Sequence, residues 1–102
     1  MIEVLKTKRD QISDICARHG VARLHVFGSA LHDNVRTDES DVDLLVELES
    51  MDPYARVDAY FGLLDELRTL LNMKIDLVMV GAVKNPYIAR DIERTKHLLY
   101  AA

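Results

Sequence analysis

The sequence predicts an α/β (α+β) chain, a small mixed β-sheet with helices packed mainly on one face. Three observations predict it. Residues Asp41 to Leu48 alternate, placing Val42, Leu44, Val46 and Leu48 on one side and Asp41, Asp43, Leu45 and Glu47 on the other, the period-two signature of a strand. Asp52-Pro53 and Asn85-Pro86 each pair an N-cap residue with a proline suited to a first helical turn, and apolar residues follow at steps of three and four. The elements are joined by short connections, and a helical stretch falls between two strands.

Each element follows from its local pattern. From Glu3 to Arg18, Leu5, Ile12, Ile15 and Cys16 share a helical face, and Gly20 stands where a helix commonly ends in a left-handed residue. Ala22 to Phe27 is a short strand, Gly28-Ser29 opens a turn, Ala30 to Asp33 forms a brief helical segment, and Asn34 to Ser40 is a polar loop. The strand from Asp41 comes next. A long helix then starts at Asp52-Pro53, with Tyr54, Val57, Phe61, Leu64, Leu67 and Leu71 expected toward the core. Lys74 to Val80 is a third strand, with Asp76 and Val78 opposite Ile75, Leu77 and Met79. A final helix from Asn85-Pro86 is expected to carry Ile88, Ile92, Leu98 and Leu99.

At 102 residues and 49% hydrophobic content the chain fits one domain spanning residues 1–102, with little room for a second substrate-binding domain. It contains no repeat and no low-complexity run. No apolar run approaches the roughly 18 residues that span a bilayer, and the first residues lack the order of a signal peptide, so a cytoplasmic protein is expected. The lone Cys16, set among apolar residues, is expected to be an inert buried thiol. A net charge of −4 without a basic stripe argues against a protein that binds nucleic acid unaided.

The chemistry collects at two places, Val26-Phe27-Gly28-Ser29 and Ser40-Asp41-Val42-Asp43. Same-face residues on a strand lie roughly 6.5 to 7 Å apart at Cα, so Asp41 and Asp43 can converge on one or two cations held about 3.5 to 4 Å apart. Asp76 lies in an otherwise apolar strand, where an unpaired buried carboxylate would be costly, and is expected to complete the cage. Oxygen donors suit Mg²⁺ held together with substrate phosphates. Glycine lets the backbone approach closely, and the Ser29 hydroxyl with nearby N–H groups can cradle phosphate oxygens. Arg36, in the same loop, can fork onto phosphate or pair with Asp38 or Glu39. His32 is a weaker phosphate contact because a histidine is mostly neutral at pH 7. The combination points to nucleotidyl transfer, with Asp76 as the candidate base and Asp41 and Asp43 as bridging ligands.

His19, His25 and His97 lack ligand-like spacing and are expected at the surface or in packing. Tyr54 and Tyr60 are expected in the core or at its rim; Tyr87 and Tyr100 fit core edges or interface anchors.

The segments Phe27-Gly28-Ser29-Ala30, Ser40-Asp41-Val42-Asp43-Leu44, Ile75-Asp76-Leu77-Val78 and Asn85-Pro86-Tyr87-Ile88 through Leu99-Tyr100 together resemble the minimal nucleotidyltransferase (MNT) family of the DNA polymerase β superfamily. The resemblance covers nearly the whole chain. It implies the nucleotidyltransferase fold, two Mg²⁺ ions on Asp41, Asp43 and Asp76, and triphosphate on Gly28 and Ser29. It also implies ATP as AMP donor, and a partner: small MNT proteins are often antitoxins of a helical HEPN-domain ribonuclease, which some silence by adenylylating a tyrosine. Relatives tend to carry an arginine and a glycine after the serine, where this chain has Leu31-His32-Asp33. The alternative is therefore a binding module that neutralises a basic ribonuclease by covering it with an acidic surface. Transfer to a small molecule is disfavoured by size, and transfer to an RNA end by the acidic balance.

Overall fold

The computed structural model describes residues 2–28 and 42–102. Ser29, Arg36 and Asp41, together with the expected short helix Ala30 to Asp33 and the loop that follows it, lie outside the described residues. The elements in chain order are α1 (Ile2–Thr7), α2 (Arg9–Arg18), β1 (Val21–Phe27), β2 (Val42–Leu48), α3 (Pro53–Leu71), β3 (Ile75–Met79), α4 (Pro86–Thr95) and β4 (His97–Ala101). The described strands form one mixed sheet in the order β3-β2-β1-β4. The β1–β2 and β1–β4 pairs are antiparallel, and β2–β3 is parallel, as a pair joined through the α3 crossover has to be.

The core lies between one sheet face and helices α2 and α3. Val42, Leu44, Val46 and Leu48 of β2 are buried there with Val21, Leu24 and Val26 of β1 and Ile75 and Leu77 of β3. Leu5, Ile12, Ile15 and Cys16 close it from the N-terminal helices. Burial pushes the Cys16 thiol up to about 12, so it stays protonated and unreactive at neutral pH. Among the described residues no helix is long and apolar enough to cross a membrane.

The helix ends match the cap chemistry. Asp52 accepts from Ala55 N at 3.0 Å, and Asn85 accepts from Tyr87 N at 2.9 Å and Ile88 N at 3.3 Å, each with proline opening the helix behind it. Gly20 has a φ of +70°, a left-handed conformation suited to glycine.

Four expectations are corrected. The first helix is two helices, because Lys8 has a ψ of 17° and its ammonium turns to donate to the Leu70 carbonyl at 3.0 Å. On α3, Tyr54, Val57 and Phe61 are exposed. The buried ridge is Ala59, Leu63, Leu67 and Leu71, spaced by four, with Leu64 beside it. Two apolar stripes overlap on this helix, and the position of the sheet decides which is covered. The last helix stops at Thr95 and Lys96 turns extended with a ψ of 149°, so Leu98 and Leu99 belong to β4. That strand satisfies the open edge of β1, and burial falls on Leu99 while Leu98 and Ile88 stay exposed. Asp76 is exposed, and no polar or charged side chain among the described residues is buried.

Tyr60 behaves as a rim residue, half-buried, with its hydroxyl donating to the Leu77 carbonyl. Tyr100 packs against the core edge, while Tyr87 on α4 is exposed.

A polar clamp joins α2 to α3. Glu66 accepts from Arg18 Nη1 at 2.8 Å and pairs with the His19 ring, and these two partners, His19 first, hold its carboxyl below the ordinary carboxylate range. A depressed carboxylate stabilises the fold at pH above its unfolded value, and the contribution is lost as pH falls through the folded value. Wild type is therefore expected to lose more thermal stability than Glu66→Gln between pH 6 and pH 3. Parallel melting curves for the two proteins would contradict the clamp.

Candidate active site

The candidate site is built at the end of β1 and the start of β2. In β2 the odd-numbered positions face away from α2 and α3, so burying the even positions turns Asp43, Leu45 and Glu47 onto the opposite sheet face. The antiparallel register puts Phe27 beside Asp43, and the parallel register puts Asp76 on Asp43's other side. With neighbouring strands about 4.8 Å apart, the two carboxylates project from adjacent positions on one face. Asp43 is half-buried and Asp76 is exposed.

Gly28 follows directly, with a φ of +74°. A Cβ placed there would overlap Asp43 Oδ2 and lie 3.3 Å from its Cγ, so the missing side chain makes room for the carboxylate. No cation among the described residues pairs with Asp76. The oxygen-only donor set and its solvent access fit a hard cation such as Mg²⁺. The described residues alone hold no cluster of three or more potential metal ligands, and Asp41 lies outside them.

Two residues further along each strand, the same face continues through His25 of β1, Leu45 of β2 and Val78 of β3. The next row pairs Arg23 with Glu47, whose ion pair is bidentate at 2.6 to 3.1 Å, with Arg23 held more basic by Glu47. Helix α4 crosses over these rows and leaves a cavity of about 290 Å³ between itself and the sheet. Burial, and secondarily Lys96, lowers the pKa of His25 below the usual histidine value. Sequence reasoning passed over this cavity, because its lining comes from β1, β2, the connection after β3 and α4. The one local signal was Leu45, an apolar residue on the carboxylate face.

A family model described as nucleotidyltransferase domain matches residues 9–99. The chain belongs to the nucleotidyltransferase domain family. A Methanocaldococcus jannaschii protein named as a candidate protein adenylyltransferase is 40% identical over 91 residues, covering 81% of this chain and 89% of the relative. A solved structure described as a candidate minimal nucleotidyltransferase is 30% identical, with a TM-score of 0.76, over 93% of this chain and 92% of its own. The nucleotidyltransferase fold extends to a Shewanella oneidensis MNT antitoxin solved in complex with a tri-AMPylated HEPN toxin. There the TM-score is 0.62 at 18% identity, covering 96% of this chain and 73% of that one, a likeness of fold.

Proposed function

We propose that this nucleotidyltransferase transfers AMP from ATP to a protein hydroxyl, a tyrosine of a HEPN-domain ribonuclease, and so acts as its antitoxin. The observation that carries the reading is the pairing of Asp43 with Asp76 on one sheet face beneath Gly28. The adenylyltransferase designation of the 40% identical relative and the tri-AMPylated toxin beside the structural neighbour support the choice of donor and acceptor. Asp41, Asp43 and Asp76 would hold Mg²⁺, which supplies Lewis acidity toward phosphoryl oxygens and charge neutralisation of the leaving pyrophosphate.

The remaining work falls to the chain. Gly28 and Ser29 bind the β and γ phosphates through backbone N–H groups and the Ser29 hydroxyl, with Arg36 as a forked contact. The acceptor oxygen attacks the α-phosphorus, the bond to the bridging oxygen of pyrophosphate breaks, and Asp76 takes the hydroxyl proton. Exposure of Asp76 suits that role, since an acceptor carried by a second protein can reach it. Residues 1–102 act as one catalytic unit in the cytoplasm, and the acceptor surface comes from the partner.

The test is the intact mass of the HEPN partner co-expressed with wild type or with an Asp41→Asn/Asp43→Asn variant. Added nucleoside monophosphate with wild type alone is the expected outcome. The acidic balance of −4 favours a second reading, an occluding binder. An unmodified partner that copurifies with both proteins would replace the enzyme by that binder.

A further inference from the structure

We infer that the apolar groove between α3 and the outer edge of β3 is the docking site for an amphipathic helix of the protein that carries the acceptor hydroxyl, an inference that rests on the adenylyl-transfer reading above. The groove has a volume of about 680 Å³ and is walled by Val57, Tyr60 and Phe61 of α3 and by Leu77, Val78 and Met79 of β3. Helix α3 keeps a second apolar stripe outside the core. Tyr54, Val57 and Phe61 follow at steps of three and four and are 86%, 55% and 61% exposed. Single apolar side chains at a surface need no explanation, but a stripe that borders an apolar groove marks an interaction surface.

The edge of β3 decides the form of the occupant. β3 stands at the end of the described sheet. Val42 N donates to the Lys74 carbonyl and Val80 N to the Val46 carbonyl, so the even-numbered residues of β3 turn their backbone groups to β2, and Ile75, Leu77 and Met79 turn theirs outward. The Tyr60 hydroxyl takes the middle outward carbonyl, that of Leu77, at 2.5 Å. A strand added to this edge would have to displace it, whereas the side chains of a helix can fill the groove beside it. The same bond occupies the hydroxyl of the wall and leaves Arg56 as the one charged side chain on the described walls. Small-molecule sites need several convergent polar groups, and this groove lacks them.

Position and charge identify the protein that supplies the helix. Val78 stands on the carboxylate face two residues from Asp76, roughly 6.5 to 7 Å at Cα, so the groove reaches the flank of the site on which Asp76 lies. In the proposed reaction pyrophosphate leaves toward Gly28 on the β1 side, and the acceptor enters in line from the β3 side. A protein that presents its hydroxyl there passes over the groove. On α3 the exposed Asp58 and Asp65 stand three residues before and four after Phe61 and flank it on the helix surface, and Asp76 is exposed on the other side. The helix that fits carries apolar side chains toward the groove and Lys or Arg at its border. A second copy of this chain, with a net charge of −4, would bring the same acids against themselves.

The experiment titrates the purified HEPN partner into wild type and into a Val57→Ser/Phe61→Ser variant, and follows the methyl resonances of Val57, Leu77 and Met79 in labelled wild type. The variant is expected to bind the partner at least about tenfold more weakly and to raise KM for it with kcat unchanged. Ile88→Ser, at a comparably exposed residue on α4, is expected to bind as wild type does. The three methyl resonances are expected to shift when the partner is added. Wild-type affinity in the double variant, or an equal loss in Ile88→Ser, overturns the groove. Unmoved methyl groups overturn it too, even if the variant does not fold. A wild-type dimer that the double substitution dissociates would give the groove to a second copy and sink the assignment. A partner that wild type binds through these residues but never modifies would support the docking site and bring down the adenylyl-transfer reading instead.

Discussion

Asp43→Asn is expected to lower AMP transfer by on the order of 10³-fold or more while leaving the protein folded. On the proposed reading Asp43 belongs to a cation site that stabilises phosphoryl charge; losing its carboxylate then removes several kcal/mol from the transition state, and each 1.36 kcal/mol is tenfold in rate. The change is nearly isosteric, and Asp43 stands on the sheet face turned away from the core cluster, so the melting temperature should move by no more than about 4 °C. Single-turnover transfer at saturating ATP, with a thermal melt of the same sample, checks both parts. Activity within about tenfold of wild type in a folded variant would remove Asp43 from the metal site.

Gly28→Ala carries the second large effect, and it acts through Asp43. A non-glycine residue at a φ of +74° costs about 1 to 2 kcal/mol in backbone strain, and the new Cβ also overlaps Asp43 Oδ2. Together these should lower stability by roughly 2 to 3 kcal/mol, a fall in melting temperature on the order of 10 °C, with transfer lost alongside. The overlap and the strain can be separated. In an Asp43→Ala background the carboxylate is gone, so Gly28→Ala should there cost only the backbone part, and the two substitutions should couple by about 1 kcal/mol. Equal costs in both backgrounds would mean that Gly28 is required for its φ alone.

These two effects trace the route from pattern to site. Alternation over Val42 to Leu48 sets which β2 residues are buried, and that places Asp43 on the open face. The Asp52-Pro53 and Asn85-Pro86 caps mark two helix starts that the structure reproduces, because a cap is a contact between residues two or three apart. The strand character of Ile75 to Met79, with Asp76 opposite its apolar neighbours, was likewise local.

Long-range choices were not legible. Leu98 and Leu99 look like a helical continuation until the open edge of β1 requires a partner strand. Tyr54, Val57 and Phe61 have the spacing of a core face, yet the sheet covers the ridge from Ala59 to Leu71. Asp76 lies among apolar residues in sequence but points away from the core, so its placement is explained by strand alternation and needs no compensating charge.

By itself the sequence determined strands β1 to β3, the caps that open α3 and α4, and the residue types that are candidates for a phosphoryl-transfer site, since these depend on periodicity and on neighbours within a few positions. The tertiary structure decided the parallel register that sets Asp76 beside Asp43, the approach of Gly28 to that carboxylate, and the cavity under α4. Each of these joins residues from different elements. The physical reason is that pairing and packing across the sheet are settled by which apolar surfaces can be buried together, a condition met by the whole chain at once.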